Sequence, residues 1–77
     1  MDYEQAQLAL HNKTLTEAVI MPAEDANGWV VLLVSPQGDR HVFSGHTGTE
    51  KVYHTLDRAT EVAREIGFET VRVEEDF

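Results

Sequence analysis

The apolar and polar positions of this chain change period several times, and each change marks an element. The longest apolar run, Trp29 to Val34, is apolar on both faces and only long enough for a strand. Such a strand suits the centre of a sheet, covered on both sides. Upstream, Leu15 to Met21 fits another strand, ended by Pro22 and the polar turn Glu24-Asp25-Ala26-Asn27-Gly28. Asn27-Gly28 supplies the two positive-φ positions of a type I′ turn, so these strands are expected to pair antiparallel as a hairpin. Ser35-Pro36-Gln37-Gly38-Asp39 predicts a second turn, and Arg40 to Ser44 a third strand in which His41 and Phe43 alternate with Arg40, Val42 and Ser44. The segment Gly45 to Glu50 contains no apolar residue and reads as a loop, followed by a short fourth strand, Lys51 to His54.

Two segments carry helical period. Leu56, Ala59, Val62, Ala63 and Ile66 form one stripe, with Thr55 placed as N-cap, Asp57 in the first turn, and Gly67 and Phe68 as a Schellman-type stop. Asp2 to Asn12 predicts a shorter helix, with Asp2 and Gln5 spaced as a capping box, Tyr3, Ala6 and Leu10 on one face, and Asn12 as the stop. Glu69 to Glu74 alternates Val71 and Val73 with polar residues and predicts a last strand, and Glu75-Asp76-Phe77 a frayed tail. The order is α-β-β-β-β-α-β in one α+β domain spanning residues 1–77. It is an antiparallel β-meander of four to five strands, a C-terminal amphipathic helix packed on one face, and a short N-terminal helix. One amphipathic helix covers one sheet face. Either Val30, Leu32 and Val34 or Trp29, Val31 and Leu33 then need another cover, which the N-terminal helix or a second chain would supply.

Composition narrows the function classes. The 77 residues are 42% hydrophobic and 26% charged, which lies in the globular range and leaves room for one core. The absence of cysteine removes disulfides, thiolate catalysis and every sulfur-ligated zinc site. A single small core must then carry stability unless chains associate, so a homodimer is plausible. No run approaches a membrane span, and the acidic segment Met1-Asp2-Tyr3-Glu4-Gln5 does not resemble a signal peptide, so a cytoplasmic protein is expected. The formal charge is −8, and the six basic residues are scattered among acids, which disfavours direct nucleic-acid binding. The same charge admits an acidic domain that imitates DNA for a basic partner.

The candidate chemistry is thin. His41, His46 and His54 cluster in sequence and His11 stands apart, but their spacing matches no metal signature, and no metal or other cofactor is expected. Ser44-Gly45-His46 lacks a nucleophile elbow, and Gly45 to Gly48 lacks any phosphate-loop spacing. Glu61 and Glu65 lie beside arginines as solvated ion-pair neighbours, and Glu74 and Glu75 point to opposite faces of an extended segment. No catalytic residue is assigned, and an enzyme is not expected. The candidate interface residues are Trp29, Val31, Leu33, Phe43 and Tyr53, because Trp and Tyr are enriched at interface hot spots and one apolar face of the central strand needs a cover.

Gly28-Trp29 opening an apolar strand, Tyr53-His54-Thr55-Leu56-Asp57-Arg58-Ala59, and Ile66-Gly67-Phe68 followed by Val71-Arg72-Val73 together span Thr16 to Val73. In these features the chain resembles a family of small acidic proteins carried on plasmids and integrated elements in proteobacteria, labelled plasmid replication or partition accessory proteins. The resemblance implies a non-catalytic role in plasmid or mobile-element maintenance and transfers no functional residue. The expected function is a non-enzymatic cytoplasmic protein-interaction module, self-associating or binding another protein; the alternative is an acidic DNA-mimic inhibitor.

Overall fold

The structure, a computed structural model, describes residues 1–23, 27–45 and 51–74. Helix α1 (Tyr3–His11) starts where its capping box is written. The Asp2 carboxylate accepts from the Gln5 N–H at 2.9 Å, and the Gln5 side chain accepts from the Asp2 N–H at 3.0 Å. Its stop falls where the sequence placed it, with Asn12 as C-cap. Asn12 stays right-handed at φ −81°, and Lys13 takes the left-handed position at φ 61°. The Lys13 N–H donates to the Leu10 carbonyl at 3.1 Å and the Thr14 N–H to the Ala9 carbonyl at 2.9 Å, the two bonds of a Schellman motif.

Strands β1 (Glu17–Pro22) and β2 (Trp29–Val34) pair antiparallel over their full lengths, from Glu17 opposite Val34 to Pro22 opposite Trp29. The expected hairpin forms, but not through a type I′ turn. The Ala23 N–H donates to the Gly28 carbonyl at 3.0 Å, so the loop is longer than two residues, and Gly28 does not have the positive φ that a type I′ turn requires. Residues 24–26 of the expected turn lie outside the described residues. Gly28 is required by proximity instead: a Cβ there would sit 2.5 Å from the Tyr53 carbonyl oxygen and 2.6 Å from Val52 Cγ1.

The second turn forms as expected, with the Gly38 N–H on the Ser35 carbonyl at 2.9 Å and Gly38 at φ 97°. It leads into β3 (Arg40–Val42), which pairs antiparallel with β2 through Val42 opposite Leu32 and Arg40 opposite Val34. The expected fourth strand is reduced to one bridge, Tyr53 opposite Trp29, with reciprocal N–H to carbonyl bonds of 2.7 and 2.8 Å. Continuing the β3 register would bring residue 45 opposite Trp29. Tyr53 occupies that place instead, and residues 46–50 lie outside the described residues. On the outer side of β3 the Met1 ammonium donates to the Val42 carbonyl at 3.1 Å, and the Ser44 N–H to the Met1 carbonyl at 2.7 Å.

Helix α2 (Leu56–Ile66) follows, capped by Thr55, whose hydroxyl accepts from the Arg58 N–H at 3.1 Å, and closed by Gly67 at φ 121°. Strand β4 (Val71–Val73) then pairs parallel with β1, giving the order β3-β2-β1-β4. The sheet is therefore mixed rather than an antiparallel meander. Two hairpin turns leave β3 parallel to β1, and an intervening helix returns the chain so that the next strand resumes that direction. Eleven helical residues span about 16 Å, enough to cross the roughly 14 Å between the outer strands.

Both helices lie on the same face. Ala6 of α1 and Ala59, Val62, Ala63 and Ile66 of α2 join one core with Leu15, Ala18, Ile20, Val31, Leu33, Phe43, Tyr53 and Phe68. The Tyr3 hydroxyl donates to the Glu65 carbonyl at 3.2 Å, tying α1 to α2. The expectation that α1 or a second chain covers the second sheet face is corrected as to α1, which doubles the cover on the first.

Candidate functional site: the open face of the sheet

Residues opposite each other in a ladder share a face, so the register defines the side that no helix covers. Val19, Leu32 and Val42 form one row, Met21 and Val30 a second, and Glu17, Val34 and Arg40 a third, with Arg72 beside Val19. Val19, Leu32 and Val34 form a small apolar cluster with Met21 packed against it. Val19 is 0% exposed and Leu32 and Val34 are each 9% exposed, although no helix packs there. Val42 at the margin is 42% exposed.

Charged side chains account for the difference. Arg40 stands on one edge strand and Glu74 immediately follows the other, yet Arg40 Nη1 lies 3.3 Å from Glu74 Oε2 and Nη2 lies 3.4 Å from Oε1. The two side chains therefore meet above β2 and β1, a placement that lets the long Arg40 stem cover part of the apolar cluster. Arg72 continues the chain of charges, 3.3 Å from Glu74 and 3.1 Å from Glu17. The face is thus an apolar floor under a strap, Arg40–Glu74–Arg72–Glu17, with two charges of each sign. Arg40 and Glu74 remain 43% and 36% exposed, so their pair contributes about 0–1 kcal/mol and is readily exchanged for another partner.

The residues singled out from sequence fall elsewhere. Val31, Leu33, Phe43 and Tyr53 are buried under the helices, and Trp29 is half-buried against the same core. His11, His41 and His54 are exposed, while His46 lies outside the described residues. Among the described residues no three of His, Asp and Glu converge on a point that would hold a metal ion. The Ser44 hydroxyl donates to the Met1 carbonyl at 2.7 Å. Arg58 pairs with Glu61 at 2.9 Å and with Glu65 at 3.6 Å, the ion-pair neighbours expected on α2. Among the described residues no helix is long and apolar enough to cross a membrane.

A cleft of about 400 Å³ lies where both helices end, lined by Leu10, Lys13, Leu15, Thr16, Gly67, Glu69 and Thr70. The carbonyl ends of α1 and α2 and the Glu69 carboxylate make it negative, and Lys13 is its one cationic lining residue. Among the described residues no buried side-chain nitrogen or oxygen lacks a partner, so no such side chain of the cleft calls for a ligand.

The strap residues were missed from the sequence, yet their signal is present in it. Glu17-x-Val19-x-Met21, Val30-x-Leu32-x-Val34, Arg40-x-Val42 and Arg72-x-Glu74 each repeat with period two, and together they put apolar residues in the middle of one face and charges at Glu17, Arg40, Arg72 and Glu74. Recognising them as one face requires β4 to be placed beside β1. Comparison of the chain with protein-family models, with curated proteins and with solved structures gives no match in any of the three.

Proposed function

We propose that this chain is a non-enzymatic protein-interaction module that docks through the open face of its sheet. The partner surface is an apolar patch flanked by one acidic and one basic group, matching the floor of Val19, Leu32 and Val34 and the diagonal charges Arg40 and Glu74. The carrying observation is the asymmetry of cover among the described residues: two helices share one face, and exchangeable ion pairs lie over the other. The resemblance to plasmid-borne accessory proteins fits a non-catalytic role in plasmid or mobile-element maintenance.

A photoreactive residue at Val42, on this face, tests the reading against one at Leu8, on the helix side, both of which are exposed. In the cell of origin, the module is expected to yield a protein adduct from position 42 and none from position 8. Equal adducts from both positions, or none from position 42, would refute it. The second reading, a DNA-mimic inhibitor, rests on the formal charge of −8. It requires the complex to weaken steeply between low and high salt, whereas docking on a locally neutral face does not.

A further inference from the structure

We infer that the occupant of the open face is a second copy of this chain, stacked face to face about a two-fold axis so that Arg40 of each copy pairs with Glu74 of the other. This deepens the docking reading and rests on it.

Three observations lead there. First, Arg40 and Glu74 stand at opposite edges of the sheet and at opposite ends of the apolar floor, since Arg40 lies beside Val34 and Glu74 follows Val73. A two-fold axis in the plane of the interface, perpendicular to that diagonal, brings each arginine onto the partner's glutamate. An isologous interface demands this self-complementarity. Second, the chain carries a formal charge of −8, so two copies repel over most of their surfaces. Among the described residues the open face holds two arginines and two glutamates that balance, which makes it the surface where a second copy meets least repulsion. Third, the ion pairs need not be lost. The strap opens, each Arg40 releases its own Glu74 for the partner's, and the apolar floor gains a cover of its own kind. The face is about 14 Å by 17 Å, roughly a few hundred Å² per copy, which is small for a stable dimer and sets the association in the weak, concentration-dependent class.

Charge reversal tests the geometry. Sedimentation of the wild-type chain from about 10 μM to about 1 mM is expected to show a reversible dimer at the upper end. Arg40→Glu alone places two like-charged pairs in the dimer, as does Glu74→Arg alone. Each is expected to weaken association about tenfold or more, with circular dichroism showing both still folded. An equimolar mixture has two attractive pairs in the mixed dimer and is expected to return to within about threefold of the wild-type dissociation constant. A wild-type chain monomeric throughout the range, or a mixture no tighter than the separate variants, would overturn the inference. Because the chain contains no cysteine, Arg40→Cys and Glu74→Cys chains provide an independent measurement: mixed under oxidising conditions they should form the heterodimer disulfide in preference to either homodimer. A photoadduct at position 42 to a different protein, beside a monomeric wild type, would overturn self-association and leave the docking face standing.

Discussion

Replacing Gly28 by alanine separates two reasons for which a glycine can be required at a hairpin. The sequence suggests freedom of φ; the structure shows close approach. A methyl group at residue 28 would lie 2.5 Å from the Tyr53 carbonyl oxygen and 2.6 Å from Val52 Cγ1, and the backbone oxygen cannot turn aside as a side chain would. The Tyr53 segment must move off β2, which loosens its two bonds with Trp29, 2.7 and 2.8 Å long. At about 1 kcal/mol each these amount to about 2 kcal/mol. The reduced freedom of the unfolded chain returns about 0.5 kcal/mol, so the net loss is about 1–2 kcal/mol. With an unfolding entropy of about 2.1 cal/mol/K per residue, the melting temperature should fall by about 6–12 °C. Gly38 supplies the control, because at φ 97° it has open space around it and its requirement is conformational. Asparagine, which tolerates positive φ, should be better than alanine at residue 38 and worse than alanine at residue 28. Thermal melts followed by circular dichroism measure all four variants. A Gly28→Ala chain as stable as wild type, or more so, would refute the docking of Tyr53 against Trp29.

Lys13 occupies the left-handed position of a Schellman motif where glycine is usual, so Lys13→Gly should be about 1 kcal/mol more stable than Lys13→Ala in urea denaturation; the opposite order would contradict the assigned φ of 61°. Leu33 is fully buried under the helices and Val42 is exposed on the open face. Leu33→Ala should therefore cost about 2–5 kcal/mol and Val42→Ser no more than about 0.5 kcal/mol, and comparable losses in chemical unfolding would mean that the two faces are wrongly assigned.

The helices were the most legible elements because their signals are local. Asp2 with Gln5, and Thr55 with the stripe from Leu56 to Ile66, each specify a boundary within a few residues. The pairing of β1 with β2 was legible for the same reason, although its turn was not: Asn27-Gly28 carries a hairpin preference, and the approach of Tyr53 determines why Gly28 is present. Non-local features were lost. Alternation in Glu69 to Glu74 predicts a strand but cannot say that it crosses to the free edge of β1, and Lys51 to His54 reads as a strand although only Tyr53 finds a place opposite β2. The candidate site suffered most, because its four charges come from β1, β3, β4 and the residue after β4. Trp29, Val31, Leu33, Phe43 and Tyr53 were attractive as interface anchors for the property that places them in the core, large apolar side chains on one sheet face.

The two ways of covering the sheet have different physical consequences. The helix-facing side is sealed by side chains that have no water to return to without unfolding the chain, so its cover is as permanent as the fold. On the other side Val19, Leu32 and Val34 are shielded by half-exposed charges whose pairs contribute about 0–1 kcal/mol each and which water or another protein can satisfy equally well. A third helix on that face would have added stability and removed any binding surface. Charge alone would have prevented collapse onto non-specific apolar partners without leaving a floor to bind. A strap of two arginines, in a chain that has only six basic residues, does both. Under the docking proposed above, it would keep the floor shielded in the isolated chain and yield to a partner that supplies the matching charges in the matching places.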